Sequence, residues 1–515
     1  MSVGFPDPTL EVEKKFTCQR RMASTGLFSI FVFEEVKLFK SIKEVFAFAR
    51  KEKIEMIDLK YSDLFGKWHH LSLPVSQLNR KMFASGVPYD GSSTPGFKSL
   101  ESGDMVLLPD SSTAQLDPFW EVPTLSFICS SAEADSLSLF PREPRYIVQK
   151  AQRYLLRSGI ADKSLWGPEF EFYIFDSVSC KNDINMSSYI IDSSEADWNS
   201  GVMVGKNLGH KIPPHGGYEA IPPLDDLFNV RSEMVKLIEE SGIKIRYHHH
   251  EVGGPGQSEI EIILDDLIRI GDISMWIKYL IKMVAKKHNH TVTFMPKPLY
   301  NEAGNGMHFH QHLFKKGKPL FYDKNGYGGL SKLALYYIGG LLTHGPALLA
   351  FTNPSTNSYK RLVPGFEAPV KLFFSLANRS AAIRIPKYAY NDSMEKRIEF
   401  RPADASCNVY LAVVAQLLAG LDGIKKMIDP TKAGFGPIDK NIFLLPSKEK
   451  ARIKSLPSSL KEALDALTKD CDFLLSTGVI NEDLLETWID YKLNREYNEV
   501  RNRPHPYEIS LYYDV

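Results

Sequence analysis

The sequence predicts an α+β chain with a small first domain and a much larger second one, and three observations lead there. A length of 515 residues exceeds what one hydrophobic core usually holds. A short amphipathic helix followed by a hairpin pattern stands near the start. Beyond about Pro141, strand-like alternation and amphipathic helices succeed one another with no internal repeat and no low-complexity tract. With 43% hydrophobic residues, core material is plentiful.

Taken in order, residues 1–40 lack clear periodicity and are read as an extension. Ser41 and Glu44 form a capping-box pattern, and Ile42, Val45, Phe46 and Ala49 then share one helical face. Alternation at Ile57, Leu59 and Tyr61 predicts a strand, Gly66-Lys67 a turn, and Trp68 the start of a second strand. This helix-and-hairpin region defines a small α+β domain over residues 41–141. The remainder, 142–515, reads as one domain. In it Leu227, Val230, Met234, Leu237 and Ile238 line one side of a helix that begins after Pro222-Pro223 and stops at Gly242.

Charge excludes several function classes. Lysine plus arginine number 62 and aspartate plus glutamate number 62, so no net field draws the chain to nucleic acid or an anionic membrane. Neither is expected as a partner. The five cysteines are odd in number, scattered and never spaced as Cys-x-x-Cys, which argues for a reducing compartment and against structural zinc. Leu27–Phe33 is apolar but far too short to span a bilayer. A soluble, cytoplasmic protein is expected.

Four extended segments carry the chemistry. In the run around Glu169 and Glu171 the residues alternate with period two, which puts both carboxylates on one face and Phe170 and Phe172 on the other. Glu259 and Glu261 repeat the pattern eight residues after Glu251. His308, His310 and His312 form a third such row, and Arg397, Glu399 and Arg401 a fourth. Any one of these rows alone reads most simply as a solvated strand face. Solvated faces mix Lys, Thr, Ser and Gln, however, whereas these concentrate glutamate, histidine and arginine, and together they point to a pocket.

Several carboxylates with a histidine suit a hard or borderline divalent cation such as Mg2+ or Mn2+. Nearby arginines imply an anionic substrate. Two such ions facing arginines would neutralise and orient a transferring phosphate, the central requirement of phosphoryl transfer. Neither a Gly-x-x-x-x-Gly-Lys-Ser/Thr loop nor a Gly-x-Gly-x-x-Gly turn is present, so a nucleotide would be held by metals and arginines. The triple histidine His248, His249, His250 lacks the second histidine of a zinc protease. Only one of the three can share the surroundings of Glu251 in an extended chain.

From about residue 41 onward these segments resemble glutamine synthetases of the bacterial type I class. The resemblance is carried by Tyr89-Asp90-Gly91-Ser92-Ser93 with Glu101 to Asp104, by Lys297-Pro298-Leu299 through Gly306-Met307-His308, and by Asn357 through Glu367. Asn378-Arg379-Ser380, Ile383 to Pro386 and the ending from His505 extend it. It implies a β-grasp domain followed by a catalytic domain on a curved antiparallel sheet. It also implies ATP-dependent ligation of ammonia to L-glutamate through a γ-glutamyl phosphate.

By resemblance, Glu171, Glu251 and Glu259 would hold one Mg2+ or Mn2+, and Glu169, His308 and Glu399 the other. Arg361 and Arg401 would grip glutamate, Gly304 would offer backbone contacts, and Arg379 would stabilise the phosphoryl group in flight. His310, Arg384 and Arg397 would contact ATP. Asp90 and Ser93 would reach a neighbouring subunit's pocket and join Tyr218 and Glu251 around ammonium, with Asp90 taking its proton. Glu367 would close over the acyl phosphate. The implied assembly is a dodecamer of two hexameric rings with shared active sites. The chain departs from the family pattern at His312 for a serine, Met394 for a lysine, Arg246 for a glutamate and Phe97 for a tryptophan. Phe443, where some members carry a modifiable tyrosine, implies freedom from control by adenylylation.

Overall fold

The computed structural model describes residues 39–201, 207–365, 368–388 and 391–515, with the side chain of Phe443 excepted. Helix α1 (Ile42–Lys51) starts at the predicted cap: Ser41 Oγ accepts from the Glu44 amide at 3.4 Å. The reciprocal half of the capping box is absent, because the Glu44 carboxylate accepts from the amide of Lys40 instead of Ser41. Val45 and Ala49 are buried on the predicted face.

The predicted hairpin is present as β1 (Met56–Ser62) and β2 (Trp68–Pro74), paired antiparallel. With β3 (Val87–Asp90), β4 (Asp104–Pro109) and β5 (Thr124–Glu133) they form a sheet of order β2-β1-β5-β4-β3, to which a short strand at Gln115–Leu116 adds. The β1–β5 pair is parallel. Val45, Ala49, Ile57, Leu59, Phe127 and Leu125 close a core beneath this sheet.

After α2 (Pro144–Ser158) the chain builds a larger curved sheet. Its central strand is β6 (Lys163–Phe175), flanked on one side by β8 (Gln257–Ile262) and then β7 (Ile245–His250). On the other side lie β9 (Phe309–Lys315), β12 (Ile398–Phe400), β11 (Ile383–Ile385) and β10 (Phe374–Leu376). All these neighbours pair antiparallel except β10 with β11. One face of β6 packs Phe170 and Phe172 onto helices, chiefly α4 (Leu267–Lys287), with neither ring exposed. The predicted helix is α3 (Phe228–Glu240), burying Val230, Met234 and Ile238.

The deepest element is α7 (Val409–Lys425), whose residues are almost all buried. Helices α5 (Lys332–Thr343) and α6 (Gly345–Thr352) pack against it. A helix apolar on every side is stable only inside a core. No single helix among the described residues is long and apolar enough to cross a membrane. Arg145 at the start of α2 links the layers: its Nε lies 3.0 Å from both Asp272 carboxylate oxygens, and its guanidinium also reaches Asp110.

Candidate active site

Strand register brings the four charged rows together. Glu259 stands opposite Glu171 and Glu261 opposite Glu169 across the β8–β6 pair, while His249 on β7 faces Glu259. On the far side His310 faces Glu399, which also faces Arg384. Neighbouring strands lie about 4.8 Å apart, so side chains on one face at these positions must meet. The rows are not solvated. Glu169, Glu171, Glu259, His308 and Arg401 are buried, and Glu399 has no exposure at all.

They surround a cavity of about 440 Å³. Glu169, Glu171, Glu251, Glu259, His308 and Glu399 line it, together with Tyr218, Gly304, Arg361, Arg379, Arg384 and Arg401. Arg361 donates to the carbonyls of Pro402 at 2.7 Å and Ala403 at 3.2 Å, and to His308 Nε2 at 3.3 Å. Arg379 stands over the Tyr218 ring, 6.0 Å from its centroid. Arg384 lies 2.5 Å from Glu399, and Arg401 pairs with the same carboxylate.

Two groupings have the chemistry of cation sites. Ligand atoms of Glu169, His308 and Glu399 lie within 4.8 Å of one another, as do those of His249, Glu251 and Glu259. His308 Nδ1 lies 2.6 Å from Glu169 and Nε2 3.3 Å from Arg361. A third grouping, of Glu169, Glu261 and His310, lies alongside, with His310 Nε2 at 2.8 Å from Glu169.

Electrostatics divide the carboxylates. Burial and the charge of Glu171 push the Glu251 carboxyl up to about 8, and burial beside Glu169 and Glu251 pushes Glu259 well above the usual range. Burial opposes ionisation of Glu169 and Glu399 as well. Hydrogen bonds with His308 and His310 hold Glu169 well below its ordinary value, and Arg401 with Arg384 does the same for Glu399. A pocket that packs more carboxylates than it can keep ionised is a pocket fitted to cations. The donor set, carboxylate oxygen with imidazole nitrogen and no thiolate, fits Mg2+ or Mn2+.

Not every predicted residue lies on the cavity wall. His310 and Arg397 are buried behind it, and Glu367 is outside the described residues although Gly365 and Ala368 beside it line the cavity. Asp90 and Ser93 do not line the cavity and are exposed, 2.7 Å apart. Hydrogen bonds from Ser92 and then Ser93 hold the Asp90 carboxyl below its usual value.

Among the three histidines, His249 is the one that shares the surroundings of Glu251, with Nε2 3.6 Å from Glu259, while His250 is buried against Glu195 at 3.1 Å. His312 turns out to be a packing residue: its ring lies 4.3 Å from Phe314 and 5.4 Å from Phe321, and burial pushes the imidazole down to about 3. Sequence reasoning missed His215, Tyr247 and Tyr388 on the cavity wall. They come from loops or a strand edge and carry no periodic signal.

Comparisons with known proteins agree with this geometry. The family described as "Glutamine synthetase, catalytic domain" matches residues 141–512, and "Glutamine synthetase, beta-Grasp domain" matches residues 53–133. The chain is 50% identical to a glutamine synthetase of Nostoc sp. over 476 residues, covering 92% of this chain and 99% of that one. It is 46% identical to the glutamine synthetase of Aquifex aeolicus, again over 92% of this chain and 99% of the relative. Among solved structures, Plasmodium falciparum glutamine synthetase superposes with a TM-score of 0.83 at 29% identity, covering 93% of this chain and all of that one. The expected fold, a β-grasp domain before a catalytic domain on a curved sheet, is the one observed.

Proposed function

From a chain that belongs to the glutamine synthetase family and makes glutamine from glutamate and ammonia at the expense of ATP, we infer that the reaction runs through a γ-glutamyl phosphate in the carboxylate-lined cavity. The observation that carries this reading is the convergence of the buried Glu169, Glu171, Glu259, Glu399 and His308 with the half-buried Glu251 around one space. Two divalent ions, Mg2+ or Mn2+, would screen the phosphates and polarise the transferring group. Glu171, Glu251 and Glu259 would hold one, with His249 beside them, and Glu169, His308 and Glu399 the other.

Within this frame each side chain has a physical task. Arg361 and Arg401 grip the carboxylates of glutamate, because a guanidinium fork matches a carboxylate bidentately. Gly304 offers its backbone to the same substrate. Its own position is dictated by crowding, since a Cβ there would meet the Pro296 carbonyl at 2.5 Å. His310, Arg384 and Arg397 orient ATP. Arg379 stabilises the charge on the phosphoryl group as it moves. Tyr218 and Glu251 hold ammonium, and Asp90 with Ser93 from a neighbouring subunit completes that site, Asp90 accepting the proton that frees ammonia to attack. Glu367 covers the acyl phosphate against water.

The shared site requires a ring of subunits, and the expected assembly is a dodecamer of two stacked hexamers. The scattered cysteines favour the cytoplasm. The test of the reading is phosphate release measured with each component omitted in turn. Cleavage of ATP only when glutamate and a divalent ion are both present, with ammonium preferred over alkylamines, is expected. Metal-independent turnover or a clear preference for an alkylamine would overturn it.

A further inference from the structure

We propose that Glu395 is a built-in stand-in for the nucleotide: its carboxylate caps Arg246 and Arg397, ATP displaces it on binding, and the Arg246–Glu395 pair thereby sets this chain's nucleotide affinity. The proposal rests on the reading that the Arg397 end of the site takes ATP.

Its starting point is a bulge. Between β7 and β8, Ile245 faces Ile262 and Tyr247 already faces Glu261, which leaves Arg246 as the extra residue. Bulges beside active sites re-aim a side chain. Here the bulge turns Arg246 onto the functional face, where its Nε lies 3.2 Å from Glu261 and its terminal nitrogen 3.7 Å from Glu395. The same Glu395 oxygen accepts from Arg397 at 2.6 Å. Tyr388, which lines the cavity, covers Arg397 from the other side: its hydroxyl accepts from the guanidinium at 3.0 Å, with the cation 5.2 Å from the ring centroid.

The consequence is a closed cap. The Arg397 side chain is 1% exposed, whereas Glu395 is 53% exposed. A cation assigned to ATP is therefore sealed by an acid that itself faces solvent. An anion that takes the Arg397 nitrogen held by Glu395 must displace this carboxylate. Glu261 keeps Arg246 in place when that happens, for it is buried and its carboxylate lies 3.2 Å from the Arg246 Nε. Two guanidinium groups then stand open where one carboxylate had bridged them, and a phosphate oxygen can replace it without leaving an unpaired charge. The Glu395 end of the pair is open to water, which rehydrates the carboxylate as it leaves.

The experiment is calorimetric titration of ADP with Mg2+ into the intact assembly, alongside KM for ATP. Glu395→Gln is expected to tighten ADP and lower KM by roughly two- to fivefold, the worth of an ion pair open to water at its carboxylate end, with kcat unchanged. Arg246→Gln is expected to weaken ADP, and to shrink the Glu395→Gln gain when the two are combined. An ADP affinity that is unchanged or weaker in Glu395→Gln would overturn the proposal, since the carboxylate would then only hold Arg397 in position. If Arg397→Lys and Arg246→Gln both bind ADP as the parent does, the nucleotide lies elsewhere, and the underlying reading of the site fails together with the cap.

Discussion

Glu259→Gln should stabilise the metal-free protein and remove the share of its stabilisation by metal that the ion at Glu251 and Glu259 supplies. The side chain is buried, and four further carboxylates, Glu169, Glu251, Glu171 and Glu261, surround it. Its ligand atom lies within 4.8 Å of that of Glu251. At that distance and an effective dielectric of about 20, two unit charges repel by at least about 3.5 kcal/mol. Proton uptake relieves part of this, because burial and these neighbours raise the Glu259 pKa, so the net gain from the neutral isostere is about 1–3 kcal/mol at neutral pH.

The sign follows from linkage. A carboxyl whose folded pKa is raised favours folding below its unfolded value near 4.5, and that contribution is lost as pH rises through the folded value. The advantage of the variant should therefore grow with pH. In the parent, a free ion at a hundredfold its dissociation constant should return about 2.7 kcal/mol. Thermal melts in EDTA and in Mn2+ would show a crossover: the variant melts higher than the parent without metal and lower with it. A variant that melts lower under both conditions would refute the reasoning, since Glu259 would then be structural.

Three other outcomes are expected. His344, buried between α5 and α6, bridges Asp422 at 2.9 Å and Asp470 at 2.8 Å and stacks on Phe473. Burial lowers its pKa but the two carboxylates prevail and raise it, so its contribution is complete below about pH 6.5 and fades as pH climbs through the folded value. His344→Gln should cost about 1–3 kcal/mol by chemical denaturation at pH 6 and measurably less at pH 9. Arg145→Met strands the buried Asp272 and should cost about 3–5 kcal/mol, part of which a second change, Asp272→Asn, recovers in the same assay. Mixed assemblies of Asp90→Ala and Glu399→Ala subunits should regain part of the glutamine synthesis that each lacks alone, whereas a site confined to one chain gives none.

Much of the site was legible because a strand repeats every two residues. Glu169 and Glu171 share a face for the same reason that Phe170 and Phe172 share the opposite one, but burial of the phenylalanines alone does not make the carboxylate face an interior one. Period alone does not reveal register, so which glutamates meet across strands became visible only in the β6–β8 pairing. The bulge at Arg246 is a one-residue slip that no alternation predicts. His312 obeys the pattern of His308 and His310 yet packs among phenylalanines, since polarity at one end of a strand says nothing of what lies above it. Tyr388 and Glu395 lie outside helices and strands and owe their places to partners distant in sequence.

The central claim is that these buried carboxylates hold the ions through which ATP and glutamate react. Diffraction from crystals grown with Mn2+ and an ATP analogue, recorded at the manganese edge, tests it most directly. Anomalous peaks among Glu171, Glu251 and Glu259 and among Glu169, His308 and Glu399 are predicted, while a pocket with nucleotide bound and no peak at either position would contradict the account.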